Sequence, residues 1–101
     1  MSLYRPINAL NMGSLDVSST VVGLSSASPA LPDACNRAFI TCEDDAVRWR
    51  GDGTDPTASV GHVLAKSDSI AFTNVNYRQF LKKIRFLRVT TDAKLRITYF
   101  D

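Results

Sequence analysis

Apolar and polar residues alternate with a period of two along much of this chain. At 93–100, Leu95, Ile97 and Tyr99 fall on one face and Lys94, Arg96 and Thr98 on the other. At 46–50, Val47 and Trp49 oppose Arg48 and Arg50. Such alternation predicts half-buried strands. Segments 38–43 (AFITCE) and 84–90 read the same way, and Val17, Thr20, Val21 and Val22 make 15–24 a β-branched stretch that favours strand. Shorter strands are expected at 60–64 and 69–73. Only 76–83 (NYRQFLKK) has helical character. Between these lie a Ser/Pro loop at 25–32 and turn-forming clusters at 43–45 (EDD), 51–56 (GDGTDP) and 91–92. The first of these turns is tight enough to join 38–43 and 46–50 as a hairpin. The pattern predicts an all-β fold, an antiparallel β-sandwich or small barrel of about seven or eight short strands with at most one short helix near 76–83. Val47, Trp49, Ile84, Phe86 or Leu87, Leu95 and Ile97 are the expected core.

With 101 residues the chain has room for one core. The expected division is a β-sandwich domain at 14–101 preceded by an extended arm at 1–13. The arm carries Leu3, Tyr4, Ile7, Leu10 and Met12, which it cannot bury alone, so Tyr4, Ile7 and Leu10 are candidate partner contacts. No apolar run approaches the ~20 residues of a membrane span, and the first residues carry no apolar stretch of signal-peptide type. Synthesis in a cytosol is the expectation, with no membrane partner.

Charge is +2 overall and uneven. Residues 1–50 hold four Lys/Arg against five Asp/Glu, a balance of −1; residues 51–101 hold eight against five, a balance of +3. Arg48, Arg50, Lys82, Lys83, Arg85, Arg88 and Arg96 are the candidate partner-binding cations. They alternate with apolar positions, which suits a sheet face that is either simply solvated or meets acidic groups of another protein, better than a nucleic-acid surface. Such a contact is salt-sensitive.

The chemistry-bearing residues give no catalytic pattern. His62 is the single histidine, and no Ser or Cys near it forms a nucleophile motif. The acidic residues Glu43, Asp44, Asp45, Asp52 and Asp55 sit in turns, where Asp is favoured for backbone reasons. They lack the spacing of an EF-hand, although oxygen ligands of this kind suit a divalent cation. Cys42 reads as a small core residue, and a cytosolic route keeps Cys35 and Cys42 reduced. Arg50-Gly51-Asp52 spells the integrin-recognition tripeptide, read as a chance match in a Gly-Asp turn. The expectation is a non-enzyme with no cofactor and no metal.

The run AVRWRGDGTDPTASVGHVL at 46–64 is preceded by AFITCE and followed by a strand–turn–strand ending KLRITYFD. Together with SSTVVGL at 18–24, it resembles a family of small virion structural proteins of tailed bacteriophages, over about 17–100. Arg48-Trp49-Arg50, Asp52-Gly53, Pro56-Thr57 and Val60-Gly61 fall in order. Lys66-Ser67-Asp68 departs from the glycine-containing turn expected there, and the first 13 residues lie outside the shared pattern. The resemblance implies a place in a virion assembled in the host cytoplasm. The leading expectation is a capsid decoration or cement protein on major capsid subunits, as a homo-oligomer or symmetric array. The alternatives are a tail, head–tail adaptor or fibre-base component, or a carbohydrate-binding module of a receptor-binding protein. Against the last, Trp49 alternates with arginines as a buried residue does.

Overall fold

A computed structural model describes residues 7–101 of the chain. Among the described residues, eight strands form two four-stranded antiparallel sheets. They are β1 (Ala9–Val17), β2 (Val22–Gly23), β3 (Arg37–Glu43), β4 (Val47–Arg50), β5 (His62–Leu64), β6 (Ser69–Phe72), β7 (Arg85–Arg88) and β8 (Ala93–Phe100). A single turn of 3-10 helix follows β2, and one short helix, α1 (Arg78–Lys83), precedes β7. One sheet has the order β1-β8-β3-β6 and the other β2-β7-β4-β5.

The pairs β1·β8, β2·β7, β3·β6 and β4·β5 are those of one long hairpin whose midpoint is the β4–β5 loop. Rolling that hairpin adds the contacts β3·β8 and β4·β7. This is the strand order of a jelly roll. The two sheets end on edge strands and do not close into a barrel, so the sandwich of the two expected architectures is the one formed.

Each strand supplies alternate side chains to the space between the sheets. β8 is the clearest case, with Ala93, Leu95, Ile97 and Tyr99 buried and the residues between them partly exposed. They meet Leu15 and Val17 of β1, Ala38, Ile40 and Cys42 of β3, and Val47, Leu64 and Phe86 of the facing sheet. Leu81 and Ile84 close the core from the helical side. Trp49, expected in the core, is only partly buried and packs on the core's margin. Leu87 is likewise partly exposed, leaving Phe86 as the inward residue of β7.

Three further expectations are corrected. Residues 38–43 and 46–50 are not a hairpin, because β3 and β4 belong to different sheets. Asp44 takes φ +75°, and the turn carries the chain across the sandwich with Cys42 and Val47 both buried. The arm does not extend to residue 13: Ala9 to Gly13 form the first half of β1, in register with Phe100 to Ile97. A strand from 15 to 24 is also not continuous, since Val17 ends β1 and the chain crosses to β2 in the other sheet. Cys35 and Cys42 are both buried free thiols.

Candidate functional site: an aromatic mouth and an apolar face

Rolling the chain leaves one end of the sandwich open. Trp49 on β4 and His62 on β5 are register partners and share the inner face there. Their ring centroids are 4.7 Å apart at an interplanar angle of 35°. Phe72 and Phe80 meet the indole edge-on at 5.7 and 6.3 Å, and Tyr77 packs against both phenylalanines. Three ring neighbours from β5, β6 and α1 therefore surround one tryptophan, with Tyr77 behind the two phenylalanines. Trp49, His62 and Phe80 border a groove with a volume of about 630 Å³, and its polar rim is Arg50 and Asp52.

The rim is fixed by short-range chemistry. Arg50 Nε donates to Asp52 Oδ1 at 3.1 Å and Nη2 to Oδ2 at 2.5 Å, a two-pronged guanidinium–carboxylate pair. The Thr54 amide also donates to Asp52 Oδ1. The Arg50 guanidinium and that amide hold the Asp52 carboxyl down at about 2, well below its usual value. Arg48 reaches across the same loop, donating to the carbonyls of Ala58 and Gly61. Two glycines let the walls approach. A Cβ at Gly51 would lie 2.0 Å from Phe80 Cε2, and Gly61 adopts φ +132°, which an L side chain strains to reach. Arg50 and Asp52 clasp each other, so the RGD tripeptide does not present its charged ends apart.

The remaining expected contact residues do not form one surface. Arg85 lies on β7 of one sheet and donates to the Lys82 and Ile84 carbonyls. Arg96 lies on β8 of the other sheet and pairs with Glu43 at 3.2 Å. Arg88 pairs with Asp92 at 2.6 Å, and Lys94 with Asp16 at 3.6 Å. Lys82 and Lys83 are exposed at the end of α1. A single cationic face is thus split between opposite sheets, and five of its seven arginines and lysines have partners within the chain. Tyr4 lies outside the described residues, and Ile7 and Leu10 are exposed.

No family model, curated protein or solved structure matches the chain.

The outer face of the β1-β8-β3-β6 sheet carries a feature that alternation alone did not single out. Register places Met12, Thr98, Phe39 and Ala71 in one row across all four strands. Met12 is 61% and Phe39 38% exposed, and Ala71 is exposed too. Phe100 stands beside the row on β8, partly exposed. The other end of the same face is closed by the Lys94–Asp16 and Arg96–Glu43 pairs. Exposed or partly exposed apolar side chains on β1, β8, β3 and β6 thus border one another, with two ion pairs at the far end and Arg37, beside Phe100, turned to the Thr73 carbonyl. The signal available in the sequence was the set of large apolar residues at strand positions facing away from the core, Met12 and Phe39, but their adjacency needs the register.

Proposed function

We propose that this chain is a non-enzymatic structural subunit of a tailed-phage virion, a decoration protein that seats the outer face of its β1-β8-β3-β6 sheet on major capsid subunits. The observation that carries the reading is the apolar row Met12–Thr98–Phe39–Ala71, open to solvent at positions where an isolated domain gains nothing from large apolar side chains. The resemblance of residues 17–100 to small virion proteins supports it. So does the architecture, since jelly rolls build viral capsid domains as well as lectins, although a fold by itself does not select a function.

The mode of attachment differs from a cationic contact. Most of the candidate cations already have partners in the chain, and exposed ion pairs contribute only ~0–1 kcal/mol each. An apolar seat gains by removing Phe39 and Met12 from water, and repetition over a symmetric shell multiplies a modest affinity. Attachment should therefore survive ~1 M salt, where the Debye length is ~3 Å. Phe39→Ser, on a half-exposed side chain, should leave the melting temperature nearly unchanged and release the protein from particles. Quantitative mass spectrometry of purified virions should count hundreds of copies. A count of about six or twelve, the size of a cyclic ring, would move the protein to the tail or head–tail junction. Release by salt with Phe39→Ser still bound would reject the apolar seat.

A further inference from the structure

The aromatic mouth lies at the end of the sandwich and none of its aromatic side chains belongs to the apolar row proposed above as the capsid seat. We propose that it is a binding site for a neutral sugar ring, a pyranose unit of a glycan. This inference does not depend on the virion reading.

Three observations select that chemistry. The first is the platform. The chain's only tryptophan stands partly open at the groove, beside the exposed His62, and edge contacts from Phe72 and Phe80 fix its plane. Aromatic faces carry negative charge density, and the C–H face of a pyranose presents weakly positive hydrogens to it. The second is the rim. Arg50 uses Nε and one Nη2 hydrogen on Asp52, so other guanidinium donors stay available, and each Asp52 oxygen keeps acceptor capacity. Neighbouring sugar hydroxyls both donate and accept, which matches a donor and an acceptor held side by side.

The third is charge. Arg50 and Asp52 cancel, and Asp52 occupies the guanidinium fork that would otherwise clasp a phosphate or carboxylate. A nucleotide would find the stacking rings but meet a carboxylate at the place its phosphate requires. A neutral polyol meets no such conflict. The groove's volume of about 630 Å³ falls within the ~300–1,000 Å³ of small-ligand sites, enough for a ring and part of its neighbour. The Phe80 ring resting on the Gly51 backbone preforms the wall, so little ordering is left for the ligand to impose.

Trp49 is its own reporter, because the chain's intrinsic tryptophan emission comes from the groove alone. The test titrates the folded protein with maltotriose, cellotriose, galactobiose and chitobiose, with glucuronate and a nucleoside monophosphate as anionic probes. Saturable emission changes with at least one neutral probe are expected, together with amide shifts at Gly51, Asp52 and His62 by NMR. Asp52→Ala should weaken binding about tenfold or more, while Phe39→Ser, on the outer sheet face, should leave it unchanged. Asp52→Asn frees the Arg50 fork and should turn the preference toward glucuronate. His62→Ala, on an exposed side chain, gives a second platform variant if the rim variants lose their fold. No saturable response to any neutral probe, or a preference for the anions in the unaltered protein, overturns the proposal. So does binding that ignores both Asp52→Ala and His62→Ala.

Discussion

Tyr99 is sealed between the sheets, and its hydroxyl donates to the Pro29 carbonyl at 3.0 Å. Burial pushes its phenol up to about 12. Cys42 behaves alike, its thiol pushed from 9.0 to about 11 first by burial and then by the acidic turn beside it. Both groups are harder to ionise in the folded chain than in the unfolded one. Their contribution is therefore complete below about pH 9 and is lost as pH rises through the unfolded values toward the folded ones. Melting temperatures should hold from pH 7 to 9 and fall steeply by about pH 11, with a stability loss on the order of 2 kcal/mol. Cys42→Ala should flatten the first part of that fall. A melting temperature independent of pH up to 11 would contradict the burial of both groups. At this scale the sequence was informative where alternation was strict, as for Tyr99 and Cys42. Trp49 misled, since its position on the inward face of β4 is that of a core residue, but β4 reaches the open end of the roll there.

Among the elements, β8 and β4 were legible from their two-residue period, and α1 from its lack of one. β1 was half hidden for a physical reason. Ala9, Leu10, Asn11 and Met12 are all exposed, and a register irregularity between Ala9 and Asn11 interrupts the pleat. No alternation exists there to be read. β2 is two residues long and buries only Gly23, which no periodicity can reveal. The turns expected at 43–45 and 91–92 do separate strands, although β7 ends at Arg88 and not at residue 90, and residue type does not distinguish a hairpin from a crossing between sheets. The aromatic mouth was equally out of reach, since β4, β5, β6 and α1 bring its rings together only when the chain is rolled. The status of β1 carries a prediction. Compared with removal of residues 1–7, removal of 1–13 also strips the paired residues Ala9, Asn11, Met12 and Gly13 from the β1·β8 ladder. The longer truncation should lower the melting temperature by several degrees, because small domains lose roughly 4–8 °C per kcal/mol. Equal melting temperatures for the two truncations would show that the first half of β1 contributes nothing.

For the whole molecule, the nested pairing makes the first and last strands neighbours. The Asn8 amide donates to Asp101 Oδ1 at 3.0 Å, and the Asp101 amide returns a bond of 3.0 Å to the Asn8 carbonyl. Asn36 adds a third tie, its side-chain amide reaching the Asp101 carbonyl at 2.6 Å. This clasp sets how the domain answers force. Tension applied between residues 8 and 101 enters β1 and β8 at the same end of an antiparallel ladder. The hydrogen bonds then meet the load one after another, as in a zipper, and never all at once in shear. Single-molecule pulling from those two positions should open the domain at low force by peeling β1. Pulling from residue 8 and a site in the 89–92 turn, at the far end of β8, should load the ladder along its length and demand more. The ends of the chain are thus the domain's weak point under load, and a partner seated on the face of the sheet, where the apolar row lies, pulls across the strands without opening that clasp.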